Sequence, residues 1–361
     1  MQLEKQISAK QFQLDLLTWF YGNKRDLPWR KDQDPYKIWV SEIMLQQTRV
    51  ETVIPFFHRF LDKFPTIEAL AYADEGDVLK AWEGLGYYSR ARNLQAAVRE
   101  VQEQYQGIVP DTKEEISKLK GVGPYTSGAI LSIAYGKPEP AVDGNVMRVI
   151  SRITASYDDI SKQKTRVNIE KIISELISVE DPSAFNQGLM ELGALICTPT
   201  SPSCNVCPVQ AHCAAFEQNV QLELPVKAKK KQPKEKKLVC AFIRNELGQV
   251  LIHQRMETGL LANLWEFPNI ELSGEASLSD QLHLFLKMEY FIETSIGDEI
   301  FHVEHVFSHL KWDVTIFEVE LLSVGESQNE RARWVTEGDI KAYAFPVSHQ
   351  KIMKHCLLKG E

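Results

Sequence analysis

Residues 226–237 constrain this chain more than any other stretch: Val-Lys-Ala-Lys-Lys-Lys-Gln-Pro-Lys-Glu-Lys-Lys, seven lysines against one glutamate. Such a segment has too little apolar surface to offset the entropy of ordering it, and it reads as an exposed linker. The chain changes texture across it. Upstream, apolar residues recur at three- and four-residue spacing in Phe12–Phe20, Ile38–Leu45 and Ile169–Ile177, which predicts helices. Asp34-Pro35 and Asp181-Pro182 each set a capping acid before a proline at the first helical position. Downstream, Leu238–Arg244 and Val250–Gln254 flank Asn245-Glu246-Leu247-Gly248, a strand–turn–strand signature. Val314–Leu321 alternates like a half-buried strand, and Leu278–Met288 reads as one helix. A length of 361 residues also exceeds one ordinary core. The expected organisation is a mainly α domain over 1–216, a lysine-rich linker over 217–237 and a sheet-rich α+β domain over 238–361.

The formal net charge is −8 despite the basic linker, so the remainder is more acidic still. That argues against coating nucleic acid through bulk charge and leaves room for a local basic grip. Met1-Gln2-Leu3-Glu4-Lys5 lacks a signal pattern and no apolar stretch approaches a membrane span, so a cytoplasmic protein without a membrane partner is expected. Six cysteines are present, and Cys197, Cys204, Cys207 and Cys213 fall within seventeen residues at spacing 6-2-5; Cys240 and Cys356 stand alone. In a cytoplasmic protein such a cluster indicates metal ligation before disulfides. Only Cys204 and Cys207 have a zinc-knuckle spacing. Four thiolates suit a four-iron, four-sulfur cluster equally well, although the spacing is not the ferredoxin run.

Leu119-Lys120-Gly121-Val122-Gly123-Pro124-Tyr125-Thr126 lies between an acidic helix and an apolar one. Gly121 and Gly123 permit a tight hairpin with outward backbone N–H groups, and the following helix adds its positive end. Such a surface can hold a phosphate without basic side chains, although an ordinary glycine-capped turn reads the same way. Further on, Asp143 stands where a helix should begin; free N–H groups and the helix dipole would favour its ionised form. Taken alone it is an N-cap. Glu42 lies inside the apolar helix Ile38–Leu45, crowded by Val40, Ile43 and Met44, so its pKa should be raised. One carboxyl kept neutral and one kept charged divide the work of N-glycosidic cleavage: one protonates the leaving base, the other stabilises a sugar cation.

Gly121-Val122-Gly123, then Val142-Asp143, then the 6-2-5 cysteines, in that order, resemble the helix-hairpin-helix DNA glycosylases of the endonuclease-III type. Leu27-Pro28-Trp29-Arg30, Asp34–Thr48 and Trp82–Asn93 are similar to the adenine DNA glycosylases almost residue for residue, and the likeness extends over nearly the whole chain. The resemblance implies one 4Fe-4S cluster on Cys197, Cys204, Cys207 and Cys213. It further implies excision of adenine from duplex DNA in which the adenine is mispaired with 8-oxoguanine or guanine. Glu42 matches the general acid and Asp143 the carboxylate at the sugar; Tyr125 and Asn145 match residues lining the same site. Lyase-active relatives carry a lysine where Tyr125 stands, and a phenol forms no Schiff base, so a monofunctional enzyme is expected. Gln47, Thr48, Leu85 and Tyr87 match the wedge that enters the base stack, and Arg25, Trp29, Arg30, Leu45 and Gln187 border the base pocket. A monomer, nucleoid-associated in a bacterial-type cytoplasm, is expected.

The segment Leu260–Pro268 is similar to the one preceding the catalytic box of Nudix pyrophosphohydrolases. The clustered glutamates that would hold Mg²⁺ do not follow; Asn269–Gly274 and a helix with scattered acids do. The second domain is therefore expected to bind without hydrolysing. The resemblance assigns it recognition of 8-oxoguanine through Phe307, Ser308 and His309, a serine hydroxyl being able to donate and accept. Two rivals stand: a non-catalytic DNA-binding protein, and a nucleotide pyrophosphohydrolase acting through the second domain.

Overall fold

The computed structural model describes residues 8–228, 232–274, 276–325 and 329–357. The expectation on Met1–Lys5, and the linker lysines at 229–231, lie outside the described residues. Packing divides the chain into two units. The first holds residues up to Tyr72 and from Asn93 to 228; the second holds Ala73–Arg92 and the residues from 232 onward.

The helices, in chain order, are α1 (Ala9–Asn23), α2 (Pro35–Leu45), α3 (Val50–Lys63), α4 (Ile67–Ala71), α5 (Glu75–Ala81), α6 (Ser89–Gln104), α7 (Lys113–Ile116), α8 (Pro124–Tyr135), α9 (Gly144–Ile153), α10 (Gln163–Leu176), α11 (Pro182–Leu195), α12 (Ala214–Glu217), α13 (Leu278–Tyr290) and α14 (Val347–Cys356). Asp34, Asp143 and Asp181 cap α2, α9 and α11 through side-chain bonds to first-turn N–H groups. Each such cap stabilises its helix by about 1 kcal/mol. One core of the first unit joins Phe12 and Leu16 of α1 to Val146 and Ile150 of α9, Ile173 of α10 and Phe185 and Leu189 of α11. Helix α2 is buried from Tyr36 through Met44 apart from Lys37, and α8 from Thr126 through Ile133. Helices apolar on every side must lie inside. No helix among the described residues is long and apolar enough to cross a membrane.

The second unit is built on a mixed sheet of β1 (Lys234–Arg244), β2 (Val250–Gln254), β3 (Trp265–Glu266), β4 (Asn269–Glu271), β5 (Ile292–Val306), β6 (Leu310–Val324) and β7 (Ala332–Val335). Its main order is β3-β2-β1-β6-β5, with β4 on β1 and β7 on β2. The central pair β1–β6 is parallel, from Lys234 opposite Leu310 to Arg244 opposite Glu320. Alternation sorts β1 between two cores: Leu238, Cys240 and Phe242 join Phe267, Phe345 and Ile352 of α14, while Val239, Ala241 and Ile243 join Leu286 and Tyr290 of α13. The fold is thus a mainly α unit and an α+β unit, as the two textures imply.

Two boundaries differ from the sequence expectation. The linker's last residues are strand: β1 begins at Lys234, because a main-chain ladder can form under solvated lysines, and Lys236 pairs with Glu271 at 2.5 Å. Its first residues belong to the first unit, where Arg152 Nε donates to the Leu224 carbonyl (3.0 Å) and the Ile160 N–H to that of Val226 (3.0 Å). Residues Ala73–Arg92, expected within the helical domain, group by packing with the second unit. Glu83 accepts the Phe345 N–H (2.8 Å), the Lys80 ammonium reaches the Tyr343 carbonyl (3.0 Å), and the Tyr88 hydroxyl reaches that of Phe345 (3.3 Å). Helical periodicity declares a buried face without saying which core receives it.

Candidate active site

A cavity of about 590 Å³ opens in the first unit where α2, the 119–125 turn, the start of α9 and α11 meet. Glu42, Tyr125, Asp143 and Asn145 line it, with Gln47, Thr48, Gly121, Gly123, Arg25, Trp29, Arg30, Leu45 and Gln187. The residues predicted from this unit, the cysteines apart, therefore share one cavity.

Glu42 is 5% exposed. Burial pushes its carboxyl up to about 7; the bond from Tyr125 and the charge of Arg30 oppose the shift, and Asp143 adds to it. The Tyr125 hydroxyl donates directly to Glu42 Oε2 and lies 3.8 Å from Met190 Sδ. The raised acid predicted at Glu42 is present, and its cause is the one named: desolvation inside an apolar helix.

Asp143 departs from expectation. Its capping bond exists, with the Val146 N–H 2.7 Å from Oδ1, and Asn145 Nδ2 lies 2.9 Å from Oδ2. Yet its pKa is raised, because desolvation outweighs the bonds from Val146 and Asn145 and the charge of Arg148. A cap favours ionisation only as far as the surrounding medium permits. The loop bearing Asp143 is seated by Gly128 in α8: a Cβ there would meet the Pro140 carbonyl oxygen at 2.0 Å. Asn145 is held in turn by Arg148, whose guanidinium also binds the carbonyls of Cys197 (2.7 Å) and Gly193 (2.8 Å).

The two hairpin glycines differ. Gly121 has φ +78°, and a Cβ would lie 2.9 Å from that of Asn93, so both backbone and space require glycine. Gly123, extended and capping α8, faces open space. Gln47 at φ +60° and Tyr87 at φ +47° are non-glycine residues in the left-handed region, a cost that clusters at functional sites.

Glu191 escaped the sequence reading. Its side chain is 1% exposed and clamps both Arg25 (2.9 Å) and Arg30 (2.9 Å), while Arg30 Nε donates to Gln187 at 2.8 Å. Burial raises the Glu191 carboxyl, but the two arginines outweigh it and hold it at about 2. The signal was present: like Glu42, it is a lone acid in an apolar helix. Met190 and Arg166 also line the cavity unpredicted.

The cysteines Cys197, Cys204, Cys207 and Cys213 line one small cavity with Arg152, whose Nη1 lies 3.2 Å from Cys197 Sγ. None of the four is in a disulfide; burial pushes Cys207 up to about 12 and raises Cys204 and Cys213. No three His, Cys, Asp or Glu side chains among the described residues are grouped to hold a metal ion.

In the second unit, Tyr87, Phe307, Ser308 and His309 line a cavity of about 460 Å³. Residues 307–309 form the turn between β5 and β6, closed by the Phe307 N–H on the Leu310 carbonyl at 2.7 Å. The hydroxyls of Tyr87 and Ser308 are 2.9 Å apart and bonded. Leu85, matched to the wedge, is buried at 6% beside an exposed Tyr87; its N–H closes a turn on the Trp82 carbonyl. On α13, Asp280 bonds Ser277 and Glu289 bonds Asn329, while the buried Glu266 pairs with Arg255 at 2.6 Å.

Residues 40–175 match the family model of the HhH-GPD superfamily of base excision DNA repair proteins, and residues 239–355 match the NUDIX domain. Adenine DNA glycosylases from Rattus norvegicus (34% identical over 95% of this chain and 77% of the relative), Schizosaccharomyces pombe (34%; 93% and 87%) and Buchnera aphidicola of Acyrthosiphon pisum (31%; 94% and 96%) are similar along most of their length. Among solved structures, a thermostable thymine-DNA glycosylase superposes at TM-score 0.53 (31% identity, 58% of this chain and 97% of that one). A trapped endonuclease III–DNA covalent intermediate superposes at 0.50 (23%; 59% and 99%), which bears on fold alone. Similarity of this extent, running through both units, leaves one assignment: the chain belongs to the adenine DNA glycosylases, base excision repair enzymes that hydrolyse the N-glycosidic bond.

Proposed function

We propose that this enzyme flips adenine mispaired with 8-oxoguanine, or with guanine, out of duplex DNA and excises it without cutting the strand. The observation that carries the reading is a single cavity lined by Glu42, Tyr125, Asp143 and Asn145. Glu42, with a pKa of about 7, holds a proton at neutral pH and passes it to the purine ring as the bond breaks. Tyr125 fixes the orientation of that carboxyl. Asp143 meets the oxocarbenium-like sugar. Because burial disfavours its charge, a developing cation is the partner that restores it, and the interaction strengthens toward the transition state.

Tyr125 occupies the place of a lyase lysine and cannot form a Schiff base. Gln47, Thr48, Leu85 and Tyr87 serve as the wedge, with the backbone at Gly121 and Gly123 holding a phosphate. Ser308, with Phe307 and His309, reads the 8-oxoguanine. The donor set fits a 4Fe-4S cluster on Cys197, Cys204, Cys207 and Cys213. The four side chains line one small cavity, and four cysteine thiolates are the ligand set of such a cluster. Such a cluster would cross-link the loop 197–213. A monomer acting on the nucleoid in a bacterial cytoplasm is the setting proposed.

A duplex carrying adenine opposite 8-oxoguanine tests the reading. Alkali-labile sites should accumulate with the parent enzyme and fail to appear with Asp143→Asn. Strand cleavage before alkali overturns the monofunctional assignment, and intact adenine after long incubation overturns the whole reading.

A further inference from the structure

Three guanidinium groups line the catalytic cavity: Arg25, Arg30 and Arg166. The first two are locked onto Glu191, so their charge is balanced inside the protein. Arg148, nearby, is held by Asn145 and two backbone carbonyls. Arg166 differs. Its Nη2 donates to the carbonyl of Val142, the residue before Asp143, at 2.8 Å. Its Nε is buried without a hydrogen bond and is ion-paired at 3.7 Å with Glu170 on the same helix, while the side chain as a whole stays about a third exposed. One hydrogen bond and one ion pair within its helix thus anchor the group at the edge of the Asp143 loop, with the guanidinium on the cavity wall.

We propose that Arg166 forms a phosphodiester subsite beside Asp143 and grips a backbone phosphate flanking the extruded nucleotide. The inference rests on the excision reading, which sets a deoxyribose against Asp143. That sugar is bonded to a phosphate on each side, so at least one anion is brought close to a carboxylate that must itself become charged. Like charges at such range oppose ionisation. A fixed cation on the phosphate eases the conflict, and the planar fork of arginine matches two phosphate oxygens. Exposed Lys162 and Lys164 precede it in the chain and extend the positive surface.

The test measures equilibrium binding of the full-length protein against salt. The probe is a duplex with 8-oxoguanine opposite a 2′-fluoro-adenosine that resists excision; a control duplex has adenine opposite thymine. For Arg166→Gln the slope of log K against log salt should shrink by roughly 0.9 on the lesion duplex, the loss of one phosphate contact, and change little on the control. Arg166→Lys should keep the slope, which also shows that the site tolerates substitution. A methylphosphonate at the contacted linkage should remove the slope difference between Arg166→Gln and parent. An unchanged slope on the lesion duplex overturns the subsite, as does an equal loss on both duplexes, which would make Arg166 a general backbone contact. Excision by the parent enzyme on unmodified DNA is scored separately, so an unchanged slope with normal excision sinks this inference alone, while absent excision sinks the reading beneath it.

Discussion

At the scale of single residues, the chemistry depends on how burial sets two acids. Glu42 is pushed to about 7 from an ordinary 4.5, so the folded state holds a proton that the unfolded chain has released at neutral pH. The stabilisation this represents is fully present below pH 4.5 and is lost as pH rises through 7. It amounts to on the order of 3 kcal/mol. Glu42→Gln should therefore match the parent's stability near pH 4 and exceed it at pH 8, as read by denaturant midpoints. The same substitution should lower single-turnover excision by about 10²-fold or more, and the parent's rate should fall as pH rises above 7. A variant that is less stable than the parent at pH 8 would contradict the buried-acid account.

At the scale of elements, the turn into α8 separates a glycine needed by the fold from one available to a ligand. Gly121 has a left-handed φ and no space for a methyl group. Gly121→Ala should cost about 1–3 kcal/mol of stability. Gly123 has neither constraint, so Gly123→Ala should stay within about 0.5 kcal/mol of the parent yet bind duplex DNA more weakly. Thermal unfolding and a binding titration on the same two proteins check both halves. Equal destabilisation of the two variants would remove the basis for treating Gly123 as a phosphate contact. The turn was legible because Gly-x-Gly spacing is a local backbone property; the partner that excludes a side chain at Gly121 is Asn93, far away in sequence.

At the scale of the whole molecule, the second unit is assembled from two separate stretches of chain. Residues 73–92 carry buried Val78, Leu79, Trp82 and Tyr88, and their polar anchors are Tyr343 and Phe345. A chain ending after residue 228 should leave 73–92 with fast amide hydrogen exchange while α8, α9 and α11 stay protected. Full protection of 73–92 in that truncation would show that the segment does not need the residues from 232 onward.

Local interactions explain what the amino-acid order determined unaided. Helix periods, the caps at Asp34, Asp143 and Asp181, the glycine hairpin and the change from 3.6- to 2-residue alternation all act within a few residues, and each stands in the structure. Burial decided the rest, because it sums over neighbours that the chain brings together from remote positions. It raised Asp143 against its own cap and paired Glu191 with Arg25 and Arg30 across more than a hundred and sixty residues; main-chain pairing with β6 drew the solvated Lys234–Lys237 into a strand, and residues 73–92 group with the second unit.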